Sequence, residues 1–285
     1  MTDRPPLPES LPMPVVDNHC HMDLTRTEQG PQPAAEPGAE ADRFLAEADR
    51  VNVSRIVQIG CDLRGARWAV QAAERFDSVI AGVALHPNEV PELAATGQLG
   101  AALTQIESLL TRHDKVRVVG ETGLDYFRTG PDGVDVQKQS FRHHIELATH
   151  YSKTLQIHDR DAHDDILEVL DEVGAPDRWV MHCFSGDAAF ARACLDRGAY
   201  LSFAGTVTFK NAQTIRDALA ITPLDRILVE TDAPFLTPSP HRGRPNASYL
   251  VPLTVRAMAE VRGVDLEELC NAINTTTDLA YGGAW

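Results

Sequence analysis

Short runs of apolar residues recur along this chain and alternate with longer amphipathic stretches. The runs are Pro14–His19, Arg55–Gly60, Val79–Leu85, Val116–Gly120, Thr154–His158, Trp179–His182, Ala199–Phe203 and Arg226–Glu230. Their apolar character is nearly continuous, as expected of strands covered on both faces. Helical patterns separate them: Arg43–Asn52, Arg64–Phe76, Leu99–His113, Val136–Tyr151, Ala162–Val173, Ala188–Arg197 and Asn211–Ile221. Two more, Tyr249–Arg262 and Leu266–Tyr281, close the chain. Eight strand–helix units in tandem predict an α/β protein, a (β/α)8 TIM barrel folded as a single domain. A doubly wound open sheet is the alternative, but no GxGxxG turn supports it.

Two segments break the pattern. Residues 1–12 are rich in proline and read as a disordered tail preceding a barrel domain over 13–285. Residues 25–40, TRTEQGPQPAAEPGAE, read as an unstructured surface loop. With 26 Lys and Arg against 41 Asp and Glu, the formal charge is −15. An acidic chain draws no nucleic acid by bulk charge, so any phosphate must be held by local cations. The five cysteines form no CxxC pair, which suggests reduced thiols rather than a zinc ribbon or disulfide framework. No signal-like run opens the chain and no apolar stretch is long enough to span a membrane, so a cytoplasmic location is expected. Nothing calls for an obligate protein partner.

In such barrels the chemistry sits where strands end and βα loops begin. The first strand ends in Asp17-Asn18-His19-Cys20-His21, and the third in His86-Pro87. The fourth ends at Glu121 of VVGETGLDYF, the fifth at His158 of LQIHDR, the sixth at His182 of VMHCFSG and the eighth at Asp232 of LVETDAP. The second and seventh offer no obvious ligand. His19 and His21, two apart on a strand, point the same way and can chelate one ion. Singly, each residue has a bland reading: a core histidine, a turn-capping aspartate, a loop acid. Jointly, four histidines and two carboxylates at one end of the barrel suit two divalent ions such as Zn, Mn or Mg. Glu121, placed between the others, is suited to bridge them. His113, His143, His144, His150 and His163 fall on helices or helix ends, where solvated side chains are expected.

The motifs DNHCH, GVALHP, GETGLDYF, IHDR, HCFSG, ETDAP and HRGRPN, in this order from about Val15 to the C-terminus, resemble the successive signatures of the TatD family of metal-dependent deoxyribonucleases, within the amidohydrolase superfamily. The resemblance implies a barrel, a binuclear metal site and phosphodiester hydrolysis, with 3′-to-5′ exonuclease action on DNA. It carries the family's metal ligands onto His19, His21, Glu121, His158, His182 and Asp232, and further site positions onto His86 and Arg160. Where the family has Asn-Glu-Pro after its Arg-Gly motif, this chain has Asn246-Ala247-Ser248. The segment Thr25–Glu40 also looks long for a first βα loop.

A phosphodiester is anionic and has a poor leaving group. Two divalent ions answer both problems by neutralising charge and generating hydroxide at neutral pH. The expected partition gives one ion to His19, His21 and Asp232 and the other to His158 and His182, with Glu121 bridging. Asp232 is the candidate base, and His86, Arg160, Arg242 and Arg244 are candidates to hold phosphate oxygens of a single-stranded DNA end. A solvated loop is the equal alternative for the last two. The rival readings are hydrolysis of an ester, lactone or amide bond, including an aminoacyl-tRNA ester, and a metal-binding scaffold without turnover. Relatives that use a bridging lysine on the fourth strand are disfavoured: Lys115 lies before that strand, and Glu121 takes the place.

Overall fold

The eight apolar runs become the eight strands of a barrel in the computed structural model, which describes residues 4–27 and 30–285. In chain order these are Val15–Cys20, Val53–Gly60, Val79–Val83, Val116–Asp125, Thr154–Arg160, Trp179–Met181, Tyr200–Phe203 and Ile227–Val229. Each pairs in parallel with the next. The ring closes between the eighth and the first. There Asn18 Nδ2 donates to the Val229 carbonyl at 2.9 Å, Asp232 N–H to His19 at 2.9 Å and His21 N–H to Ala233 at 2.8 Å.

Valine and isoleucine dominate the strands because their branched side chains pack well on a pleated, fully covered surface. The side chains of Val16, Val57, Ile59, Ile80, Val118, Val180 and Leu228 pack together as one cluster, while alternate residues such as Ile56, Val119 and Leu155 pack in the larger cluster that includes the helices. The end opposite the loops is plugged by the C-terminus. Trp285 donates its indole N–H to the Ser78 carbonyl at 3.1 Å and lies against the guanidinium of Arg55. Several helices start on an aspartate whose carboxylate accepts the first free N–H groups, namely Asp62, Asp187 and Asp265. No helix among the described residues is long and apolar enough to cross a membrane.

Three expectations need correcting. The Pro-rich stretch has no helix or strand over its described residues 4–12, but it is packed rather than disordered. Leu11 is 2 % exposed, its N–H donates to Val51, and Tyr249 Oη donates to the Pro5 carbonyl. Burying a leucine is worth about 1.5–3 kcal/mol, enough to hold such a stretch down. Met1, Thr2 and Asp3 lie outside the described residues. The loop over 25–40 contains an antiparallel hairpin, Leu24–Thr27 with Gly30–Pro33, and a helix starting at Ala39. Glu28 and Gln29 lie outside the description. A short helix, Val90–Ala95, opens the third loop. Finally, His144 is buried, not solvated: its Nε2 accepts Leu85 N–H at 3.2 Å and its Nδ1–H donates to the Ser140 carbonyl at 2.8 Å.

Candidate metal centre

Glycines shape the fourth strand where it meets the fifth. A Cβ on Gly120 would lie 2.7 Å from Gln156 Cβ, and one on Gly123, at φ +135°, would strike the His158 carbonyl oxygen. Only glycine permits this approach. The strand carries an irregular register between Val119 and Thr122, and this presses Glu121 into the barrel mouth beside His158.

The structure brings the six expected ligands together. Glu121 turns its two oxygens to two different groups. Its Oε2 faces His19 Nε2 at 3.5 Å and His21 Nε2 at 3.9 Å, while its Oε1 faces His158 Nδ1 at 2.6 Å and His182 Nε2 at 2.8 Å. Asp232 Oδ1 lies 3.6 Å from His19 Nε2 and 3.4 Å from His21 Nε2. The donor atoms of His19, His21 and Glu121, of His19, His182 and Asp232, and of His86, Glu121 and His158 each fall close enough to share one ion.

The outer partners of these rings decide whether the group fits a cation. Gln156 donates its amide N–H groups to the Asn18 carbonyl and Tyr281 Oη, which leaves Oε1 to accept from His19 Nδ1–H at 2.7 Å. His21 Nδ1–H donates to the Ile59 carbonyl at 3.0 Å. Both Nε2 atoms are therefore acceptors, and they face each other at 3.2 Å with carboxylates beside them. His182 is oriented the same way by Glu230, which accepts its Nδ1–H at 3.1 Å and Cys183 N–H at 2.9 Å. Converging lone pairs, each fixed by a second hydrogen bond, are what a metal site requires. The residues fit divalent ions.

Without ions, the carboxylates draw protons onto some of these nitrogens: burial opposes protonating His21, but its contacts with Cys61 and Asp232 raise its proton affinity. Burial opposes ionisation of Glu121, yet the neighbouring His182 and His86 and hydrogen bonds from His158 and His182 hold its carboxyl well below the usual carboxylate range. Burial likewise opposes ionisation of Asp232, and His21, His19 and His182 hold it down. Burial works against protonating His182, but Glu121 and Glu230 raise its proton affinity well above that of a free imidazole. Burial and the charge of His182 keep His19 low, hence neutral.

Around this group opens a cavity of about 590 Å³. His86 and Arg160 line it; Arg242 and Arg244 do not, being exposed on the eighth βα loop, where Arg242 stacks on Phe209 at 3.9 Å. His86 Nδ1 accepts Asn88 N–H at 3.1 Å, so its Nε2–H points to Glu121 Oε1 at 3.4 Å. Burial keeps this ring below its ordinary pKa. Lys210, between the seventh strand and the next helix, is also outside the lining.

Several residues escaped the sequence reading. Asp125 accepts from His158 Nε2 at 3.3 Å and from Asn88 Nδ2 at 2.9 Å. Burial resists its ionisation, but these hydrogen bonds and Arg128 N–H hold it well below the ordinary range. Cys61, just past the second strand, donates its thiol to Glu121 Oε2 at 3.4 Å; burial pushes that thiol up to about 12, so it stays protonated. Arg128, Asn88 and Phe235 also line the cavity. Asp125 and Glu230 lie inside the quoted motifs GETGLDYF and ETDAP, four residues after Glu121 and two before Asp232, which was the available signal. Ala247 and Ser248, in place of Glu-Pro, are buried, and Ser248 Oγ donates to Asp17 Oδ2 at 2.5 Å beneath the first strand.

A family model described as TatD related DNase matches residues 16–282. The chain is similar to the metal-dependent hydrolase TatD of Mycobacterium tuberculosis, 42% identical over 276 residues, covering 95% of this chain and 99% of that protein. It is also similar to the metal-dependent hydrolase YcfH of Escherichia coli, 36% identical over 268 residues and 93% of each chain. Among solved structures, the TatD homologue YJJV of Escherichia coli superimposes with a TM-score of 0.83 at 26% identity, covering 95% of this chain and 98% of that one.

Proposed function

The chain belongs to the TatD-related family of metal-dependent hydrolases, and from that premise we propose that it hydrolyses phosphodiester bonds at the ends of single-stranded DNA, releasing nucleotides in the 3′-to-5′ direction. The observation that carries this reading is the split orientation of Glu121, one oxygen toward His19 and His21 and the other toward His158 and His182. That division suits one ion on each side of a bridging carboxylate. Divalent ions held there supply charge neutralisation for the phosphate and make water acidic enough to attack at neutral pH.

The remaining chemistry belongs to side chains. Asp232, anionic and with its side chain 16% exposed to the cavity, accepts the proton of the attacking water. Arg160 and Arg128 line the same cavity and are positioned to take non-bridging phosphate oxygens, and His86 offers a neutral Nε2–H beside Glu121. The test is release of labelled mononucleotide from 3′-labelled single-stranded DNA by the metal-loaded protein, run beside a panel of lactones and amides. Turnover of the panel with no release from DNA would overturn the proposal.

A further inference from the structure

Among the described residues, the exposed large apolar side chains are Phe127 at 65%, Phe235 at 37% and Leu279 at 54%. Leu279 sits on the C-terminal helix Leu266–Ala280. The two phenylalanines are different: Phe235 lines the cavity, and Phe127 stacks on Arg160, which lines it. Phe127 follows the fourth strand and Phe235 the eighth, and in a closed ring of eight these positions are opposite one another.

Neither ring is placed loosely. Phe235 N–H donates to the Asp232 carbonyl at 2.8 Å, and Asn246 Nδ2 donates to the Phe235 carbonyl at 2.6 Å, so the backbone under the ring is pinned from two sides. The ring lines the cavity with its centroid 6.2 Å from that of His21. Phe127 carries the guanidinium of Arg160 at 3.8 Å from its centroid, and Arg160 is itself a cavity residue. An exposed phenylalanine forgoes the stabilisation that burying its ring would give. Two such rings, one of them coupled to a guanidinium, point to a ligand with flat apolar faces and an anionic link.

We propose that Phe235 and Phe127 are stacking platforms for the nucleobases on either side of the phosphodiester being cut, with Arg160 holding phosphate while its ring partner holds base. This inference rests on the phosphodiesterase reading above and names how its substrate is gripped. It answers a difficulty posed by the charge. At −15, the protein draws no polyanion from a distance. Stacking is short-ranged and tolerates any sequence, because every base has a π-face. It also selects unpaired bases, since those in a duplex are already stacked on their neighbours.

The experiment compares wild type, Phe235→Ala, Phe127→Ala and the restoring variants Phe235→Trp and Phe127→Trp, all metal-loaded and checked for fold by circular dichroism. Kinetics are measured on a single-stranded deoxyoligonucleotide, on its analogue abasic at the last two positions, and on a bis-nitrophenyl phosphodiester. Base stacking is read separately, from quenching of 2-aminopurine next to a cleavage-resistant phosphorothioate end. Each alanine variant is expected to raise KM for the oligonucleotide about tenfold, with kcat nearly unchanged, to leave the abasic analogue, which offers no base to stack, unaffected, and to lose quenching. The tryptophan variants should restore both. Equal KM for all variants, or a wild type indifferent to the missing bases, would overturn the stacking role while leaving phosphodiesterase activity standing. A metal-loaded wild type that cuts none of the three diesters would overturn the underlying reading, and the inference with it.

Discussion

Glu230→Gln tests whether the histidines are held as metal ligands or merely packed. Glu230 is fully buried, and one oxygen accepts both His182 Nδ1–H and Cys183 N–H. The substitution keeps the shape and removes the charge. His182 then loses the partner that fixes its tautomer and raises its basicity. If the amide nitrogen turns inward, Nδ1 must become the acceptor and Nε2–H points at Glu121, where it blocks ligation. If the oxygen turns inward, the amide N–H groups meet a place where Glu230 Oε2 has no hydrogen-bond partner among the described residues. Leaving a buried donor unsatisfied costs about 1–3 kcal/mol of stability. Loss of an outer carboxylate from a metal-bound histidine weakens affinity about 10- to 100-fold, or about 1.4–2.7 kcal/mol. The assay titrates metal-stripped wild type and variant with zinc against a chromophoric chelator, and follows urea unfolding in parallel. A folded variant with zinc affinity within about twofold of wild type would show that His182 binds no ion through this arrangement.

Asp232→Asn is expected to lower kcat at least about 10²-fold with metal content retained, and near-normal turnover would remove it as base. In the metal-free protein burial works against protonating His158 and His182, but Asp125 and Glu121 raise the former and Glu121 and Glu230 the latter. A divalent ion must displace those protons, so binding should release protons and tighten as pH rises through neutrality; calorimetry in two buffers of different ionisation heat counts them, and zero release would contradict the assignment. Burial lowers His144 from 6.5 to about 4. With the folded value depressed, its contribution is complete above the unfolded pKa and is lost as pH falls through the folded one. In metal-stripped protein it should cost about 2–3 kcal/mol between about pH 7.5 and 4.5, a loss absent from His144→Leu in urea titrations. Gly123→Ala, at positive φ and against the His158 carbonyl, should lower stability by about 2 kcal/mol or more and weaken metal binding with it; an unchanged urea midpoint would refute the packing argument.

Much of the barrel was legible because strands covered on both faces are read from composition alone: runs such as VRVV and RIVQIG have no other stable place. Strand ends then located the six ligands, since the fold puts every such end on one rim. What escaped depends on neighbours that sequence spacing does not reveal. The hairpin within 25–40 is set by cross-strand pairing of Leu24–Thr27 with Gly30–Pro33, hidden among prolines and glycines. Packing of the N-terminal stretch rests on contacts with residues as distant as Tyr249. His144 looked like one more helix histidine, because only the fold brings Leu85 N–H to its ring. Arg242 and Arg244 share a loop with the site, but their side chains do not reach the cavity lining, so chain proximity misled there.

The charge of the cavity shows why the ions would matter before any bond is cut. Its lining includes the carboxylates of Glu89, Glu121, Asp125, Asp159 and Asp232 and the guanidiniums of Arg128 and Arg160, which gives 2 − 5 = −3 with the histidines neutral as ligands. A phosphodiester anion within about 4 Å of one such carboxylate is repelled by about 4 kcal/mol at an effective dielectric of about 20. With every histidine a neutral ligand, two divalent ions would bring the lining to +1, which favours an anionic substrate; where no ion is bound, protons on His158 and His182 offset part of the negative charge. The split orientation of Glu121 and a positive lining both require the histidines to serve as neutral ligands. Until ions displace them, protons on His158 and His182 offset part of that negative charge, so the protons released on loading report how far the lining is neutralised before an anionic substrate enters.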